Sequence, residues 1–331
     1  MHAIGSALFP FASWLRRYSG RYLRADLVAG LTVAVVAVPQ SMAYALIAGV
    51  PVQYGLYASI VPTIVAGLWG SSAHLVTGPT TAVSLVVFTT LAELVPAGTP
   101  HFIELAFLLA FIVGVLQIGM GIARLGAFLN FVSHSVILGF SSGAAVLIGF
   151  KQIPNFLGLT LEKGGSLPDA LWEIMTRLTE AHALTFALGV LTVVVIVALK
   201  KVRPAWPGTL IALLLAGALV FVFNLSAQGV AAVGAIPRSL PPLHLPVVGW
   251  HENFGRLVPG ALAIAILGLV EAASIAKAIA DQTHQRINMN QEFIGQGLAN
   301  VAAGLFSGYP GSGSFTRSAI NFKSGGKTPM S

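Results

Sequence analysis

Hydrophobic residues in this chain fall in long, nearly uncharged runs. A bilayer core takes about 20 apolar residues per spanning helix, and runs of that order lie at 27–47, 54–69, 78–94, 104–121, 132–150, 183–199, 208–223 and 257–280. A weaker run covers 292–306, and a short one starts near Ser314. Between the fifth and sixth runs, 167–178 reads as an amphipathic helix at the membrane interface. The first apolar stretch of the chain is short and is followed by Arg16, Arg17, Arg21 and Arg24, which suits a helix lying on the membrane surface and not a cleaved signal peptide. Strand-like alternation is sustained nowhere. The pattern predicts an all-α polytopic membrane protein of about ten crossings.

Composition agrees. Of 331 residues, 56% are hydrophobic and 9% charged, against roughly 25% charged in a soluble domain. The absence of cysteine excludes disulfides and thiolate chemistry. The net charge of +7 would suit a nucleic-acid partner were it not explained by topology. With the N-terminus in the cytoplasm and each run crossing once, the cytoplasmic side receives Arg16, Arg17, Arg21, Arg24, Arg124, Lys200, Lys201, Arg203, Lys277, Arg286, Lys323 and Lys327. The outer side receives only Lys151, Lys163, Arg177, Arg238 and Arg256, and Arg317 stays in the membrane. This is the positive-inside distribution, so the expected partner is a lipid bilayer, the plasma or inner membrane, and not nucleic acid.

Two runs are interrupted. Leu75-Val76-Thr77-Gly78-Pro79-Thr80-Thr81 precedes one short helix, and Tyr309-Pro310-Gly311-Ser312-Gly313-Ser314 precedes another. Gly and Pro break regular helix, and Pro79 is expected in the first helical turn, where its missing N–H is no loss. Each segment reads as extended backbone entering the membrane, followed by a half-helix that begins near the midplane. Such backbone survives at that depth only where protein or a cavity satisfies it, and paired interruptions point to a transporter's binding site. From Gln40 to Glu271 is 231 residues and from Gly78 to Gly313 is 235. Seven spans separate the two copies, an odd number, so the copies are inverted. The halves are read as 27–224 for the first repeat and 257–331 for part of the second, with a cytoplasmic segment at 1–26 and an extracellular connection at 225–256.

Pro39-Gln40-Ser41-Met42-Ala43-Tyr44-Ala45, Gly49-Val50-Pro51 and Gly55-Leu56-Tyr57-Ala58-Ser59 resemble the signature region of the SulP sulfate permeases. Thr77-Gly78-Pro79 and Ser314-Phe315-Thr316-Arg317-Ser318 leading to Gly325-Gly326-Lys327-Thr328 do so as well. The resemblance implies a fold of seven-plus-seven inverted repeats divided into core and gate domains, working as a homodimer in the full-length protein. It also implies four further spans and a cytoplasmic STAS domain, neither of which these residues include.

The expected chemistry is anion binding between two opposed half-helix N-termini, each carrying unpaired N–H groups and about half a positive charge. The expected donors are the backbone around Thr80, Thr81 and Ala82 and around Phe315 and Thr316, with the hydroxyls of Ser314 and Thr316. Arg317 is a costly intramembrane charge. The resemblance implies that it supplies positive field to the anion, although a structural ion pair is the plainer reading. Gln40 offers donors and an acceptor, with Tyr44 one turn on. Glu271 lies mid-span, where a lone carboxyl keeps its proton and one near Arg317 ionises, a basis for H⁺ coupling. Na⁺ coupling and anion exchange remain open, and sulfate, bicarbonate or a dicarboxylate all suit the site. No metal site, cofactor or catalytic residue is expected. The alternatives are a nucleobase:cation symporter, disfavoured by Arg317, an uncoupled anion channel, and an intramembrane enzyme, for which no mid-membrane base is placed.

Overall fold

The computed structural model describes residues 10–16, 18–126, 134–159, 167–203, 206, 208–232, 239–246 and 250–331. Arg17, Lys163 and Arg238 of the charge distribution, and the first nine residues of the N-terminal segment, lie outside the described residues. The helices are α1 (Phe11–Leu15), α2 (Gly20–Ala48), α3 (Val52–Trp69), α4 (Thr81–Ala92), α5 (Pro100–Ile122), α6 (His134–Leu157), α7 (Leu167–Thr176), α8 (Ala183–Val202), α9 (Gly208–Val222), α10 (Trp250–Thr283), α11 (Met289–Leu305) and α12 (Phe315–Lys323). Two two-residue strands, β1 (Thr77–Gly78) and β2 (Ser312–Gly313), precede α4 and α12. Five of the described helices are long and apolar enough to cross a membrane, and α4 and α9 are shorter apolar helices.

Local chemistry sets the helix ends. Gly49 closes α2 in the left-handed conformation at φ 78°, which glycine adopts without a Cβ penalty. Thr99 caps α5 by accepting from the Phe102 N–H, and Pro100 occupies the first turn. Pro39 and Pro62 lie inside α2 and α3, and neither ends its helix.

The chain divides into two compact units. In Met1–Ser141 with Pro237–Ser331 the core lies around α5, whose Phe102, Leu105, Leu108, Leu109 and Val113 are fully buried with Leu257, Ala261 and Ile264 of α10. Helix α11 packs along α5 through glycines. A Cβ on Gly114 would lie 2.4 Å from the Val301 backbone nitrogen, and one on Gly297 would lie 2.6 Å from that of Ile118. The small-residue seam lets the two backbones touch, as helices do in a membrane. The weak hydropathy of the 292–306 run has its reason here. Gln291, Glu292, Gln296 and Asn300 of α11 are buried against protein, so this helix need not be apolar on every face. In Ser142–Ile236, α8 and α9 pack together, Gly189 admits the Phe156 ring, and His182 joins Thr185 Oγ1 at 2.8 Å and the Gln228 carbonyl at 2.9 Å. Val193, Val194 and Val197 of α8 are exposed, an apolar face suited to lipid.

The seam gives a first prediction. Gly114→Val should force α5 and α11 apart and lower stability by about 1–3 kcal/mol, the usual cost of overpacking. The measurement is the melting temperature of the full-length protein in detergent, and an unchanged value would contradict this packing.

Candidate functional site

The two interrupted segments meet. β1 and β2 pair antiparallel, Thr77 opposite Gly313 and Gly78 opposite Ser312. Because each strand runs directly into its half-helix, antiparallel pairing sends α4 and α12 away in opposite senses and leaves their N-termini on either side of one ladder. The ladder is short, and side chains take up much of the remaining backbone. Val76 donates its N–H to Ser318 Oγ at 2.9 Å and accepts from the Ser314 N–H at 2.9 Å. Thr63 Oγ1 donates to the Thr77 carbonyl at 2.6 Å. Asn300 takes both sides of Gly311, accepting its N–H at 2.8 Å and donating to its carbonyl at 3.1 Å. Gln117 holds the Asn300 amide in turn, at 2.8 Å.

Thr80 caps α4 and Ser314 caps α12, their hydroxyl oxygens accepting from the N–H groups of Val83 and Arg317 at 3.5 Å. The N–H groups of Thr81, Ala82, Phe315 and Thr316 are therefore first-turn donors that no intrahelical carbonyl satisfies. Thr81 and Ala82 are half-buried, while Phe315 and Thr316 are exposed. Pro79 is not in the first turn, as the sequence suggested, but one residue ahead of the cap. Outside the helix its carbonyl is left to accept from Arg317 Nη2 at 2.6 Å. In the first turn that carbonyl would be committed to the helix.

Arg317 is completely buried. Its guanidinium lies against Gly78, where a Cβ would come within 2.8 Å of Nη1 on a backbone at φ +154°, so glycine is required for both space and conformation. Arg317 Nε has no hydrogen-bond partner, and no carboxylate forms an ion pair with Arg317 among the described residues. The structural ion pair weighed from the sequence is thus absent there. Glu271 is tied to the next residue along: Thr80 Oγ1 donates to Glu271 Oε2 at 3.1 Å. Ser312 Oγ donates to the Gly268 carbonyl at 2.8 Å, and Gly313 packs on the Ala272 backbone, which seats β2 against the Glu271 turn of α10. Tyr44 lies within electrostatic reach of Arg317 and of Tyr309, and the Tyr309 hydroxyl meets Ser84 Oγ of α4 at 3.3 Å. Gln40 is half-buried, its Oε1 is enclosed, and that atom has no hydrogen-bond partner.

Sequence reasoning missed three supports. Asp26, nearly inaccessible at 1% exposure, accepts the N–H groups of Lys327 and Thr328 at 2.6 and 3.1 Å and the Thr328 hydroxyl at 2.6 Å. It anchors the turn after α12 to the start of α2. Glu292 accepts the N–H groups of Ser71 and Ser72 at 2.7 and 2.9 Å. The Gln117–Asn300 pair grips Gly311. The available signal was their position: polar residues within or beside apolar runs.

Fold and site define the membrane domain of an inverted-repeat transporter fold, all-α among the described residues apart from the crossing ladder. Residues 23–331 match the sulfate permease family, and the chain belongs to that family, whose members are membrane transporters and not enzymes. It is 38% identical to the chloroplastic sulfate transporter 4.1 of Arabidopsis thaliana over 98% of this chain and 48% of the relative. It is 36% identical to the probable sulfate transporter Rv1739c of Mycobacterium tuberculosis over 97% and 57%. The chain spans about half the length of the curated relatives it matches. Among solved structures it resembles the transmembrane domain of a cyanobacterium bicarbonate transporter, BicA, with a TM-score of 0.84 at 28% identity, covering 95% of this chain and 80% of that one. The murine Slc26a9 anion transporter in its inward-facing state shares the fold, with a TM-score of 0.90 at 23% identity, covering 99% and 58%.

The Gly78–Arg317 contact gives the next prediction. Gly78→Ala should displace the guanidinium and lower stability by about 1–3 kcal/mol, read as a drop in melting temperature. A variant as stable as the parent would show that this contact does not constrain the crossing.

Proposed function

We propose that the protein is a secondary active anion transporter, binding sulfate, bicarbonate or a dicarboxylate between the N-termini of α4 and α12 and moving it by alternating access. The observation that carries this reading is Arg317: fully buried in the first turn of α12, without a carboxylate ion-pair partner among the described residues, and hydrogen-bonded to Pro79 just ahead of the α4 cap. Burying a cation without a hydrogen-bonded counter-charge is costly, and a bound anion relieves that cost. Phe315 and Thr316 offer backbone donors on one side, Thr81 and Ala82 on the other, and the Ser314 and Thr316 hydroxyls add to them. Gln40 and Tyr44 close the site from α2. Sulfate and bicarbonate, named for the relatives above, belong to this class of anion. In this reading the protein sits in the plasma or inner membrane as a homodimer with a cytoplasmic N-terminus, residues 27–224 form the first repeat, and 257–331 open the second.

Arg317→Ala in the full-length protein should weaken sulfate binding by about 1.5–3 kcal/mol, the worth of a charge-assisted contact, or roughly 10- to 150-fold in dissociation constant. Calorimetry on a variant with a normal melting temperature is the check, and unchanged affinity would return Arg317 to a packing role.

We assign proton coupling to Glu271. Arg317 holds the Pro79 carbonyl and Glu271 holds the Thr80 hydroxyl, so the two charges act on consecutive residues. An anion beside Arg317 cancels part of the positive field that favours ionised Glu271, which promotes proton uptake. By linkage, protonation then favours the anion equally. Anion affinity should rise as pH falls, and an inward proton gradient should drive uptake into proteoliposomes. Glu271→Gln keeps the shape but cannot ionise, and should abolish the pH response while retaining binding. A full response in that variant would place the proton elsewhere. No response in either protein would favour Na⁺ coupling or anion exchange.

A further inference from the structure

A second buried carboxylate, outside the anion site, is connected to it. Glu292 is 2% exposed and Gln296 is 1% exposed. Gln296 Nε2 donates to Thr77 Oγ1 at 2.7 Å and to Glu292 Oε1 at 3.3 Å. A line of contacts thus runs from the Ser71 and Ser72 N–H groups through Glu292 and Gln296 to β1, one residue from the Gly78–Arg317 contact. Gln296 Oε1, at the other end of the same amide, is buried with no donor.

We propose that Glu292 is a proton-sensitive switch and that Gln296 is the positioning residue that passes its state to β1; this rests on the anion-site reading above. An ionised carboxylate only accepts, so it requires the Nε2 end of the amide, and Thr77 Oγ1 then acts as acceptor. A protonated carboxyl donates. Turning the amide end for end places Oε1 between the Glu292 O–H and the Thr77 O–H, and reverses the hydrogen bond on β1. Either orientation strands one end of the amide, so neither is locked. Protonation also removes the negative charge that draws in the Ser71 and Ser72 N–H groups, and loosens that turn. Neutral contacts hold the rest of the turn: Ala73 donates its N–H to Gln285 Oε1 at 3.2 Å, Gln285 Nε2 donates to the Ser71 carbonyl at 3.2 Å, and the Asn288 N–H donates to Ser71 Oγ at 2.8 Å. None of these bonds is made by Glu292. Arg124, just after α5, and His284 and Arg286, just after α10, are exposed. Helix α3 contributes no charged side chain, and α11 none besides Glu292. Helix α5 has only His101 and Glu104, at the end away from Glu292. The 70–80 segment has only His74, whose Nε2 is held at 3.0 Å by the Gly326 carbonyl. Lys277 and Asp281 of α10 line a cavity of about 350 Å³ beside Met289 and Asn290.

The test is hydrogen exchange of the amides of residues 71–78 in the full-length protein, without anion, across pH and corrected for the intrinsic pH dependence of exchange. Its outcome does not depend on whether the half-helix site binds anions. Exchange at Ser71 and Ser72 should rise several-fold as pH falls in the wild type. In Glu292→Gln, which keeps two acceptor lone pairs for those N–H groups, it should be independent of pH. Gln296→Met keeps the volume and removes the amide. It should retain the pH response at Ser71 and Ser72 and lose it at Thr77 and Gly78. A wild-type profile flat in pH overturns the switch, as does a Glu292→Gln profile like the wild type. A response at Thr77 and Gly78 that survives in Gln296→Met overturns the role given to Gln296.

Discussion

Backbone that leaves the helical conformation inside a bilayer has no water to bond, and the rest of this structure follows from how that need is met. Two chain segments cross at β1 and β2 and satisfy each other over two residue pairs. Side chains take up neighbouring groups: Asn300 on Gly311, Thr63 on Thr77, Ser318 on Val76 and Arg317 on Pro79. Helices cannot run through such a crossing, so α4 and α12 begin just beyond it, each with first-turn N–H groups that no intrahelical carbonyl satisfies. The same constraint that makes the crossing expensive makes it electropositive.

The crossing also dictates what lies around it. Asn300 and Gln117 must be polar to reach Gly311, which places amides in the middle of α11 and α5. Those helices pack closely because glycines 114, 297 and 304 remove side chains from the seam. Farther along the same helix, Glu292 holds the turn that leads into β1, and Asp26 holds the turn that follows α12. Each half-helix is therefore gripped both at the ladder and beyond it, which keeps its N-terminus aimed.

Much of this was legible in the sequence, for identifiable reasons. Long apolar runs give the spans, since lipid demands them, and the run at 208–223 matches a helix over Gly208–Val222. Gly78, Pro79, Gly311 and Gly313 mark the interruptions, because few other residues tolerate such close backbone approach. The offset between Gly78 and Gly313 anticipates their elements, which prove to be partners, although the pairing itself was invisible: two residues carry no periodicity. Pro79 was misplaced by one step, since a proline suits both the first turn and the extended residue ahead of a cap. The contact with Arg317 that decides between them is 238 residues away. The run at 292–306 is weak in the sequence because burial against α3 and α5 lets that helix be polar. The partners of Glu271 and Gln40 depended on side-chain directions that spacing does not supply.

The central claim is that an anion rests where α4 and α12 begin. The most direct measurement is a crystal structure of the full-length protein soaked in bromide, with anomalous scattering locating the ion. The account predicts a peak within hydrogen-bond reach of the Phe315 and Thr316 N–H groups, facing Thr81 and beside Arg317. A well-occupied peak elsewhere in the membrane domain, with none between the two half-helices, would contradict it.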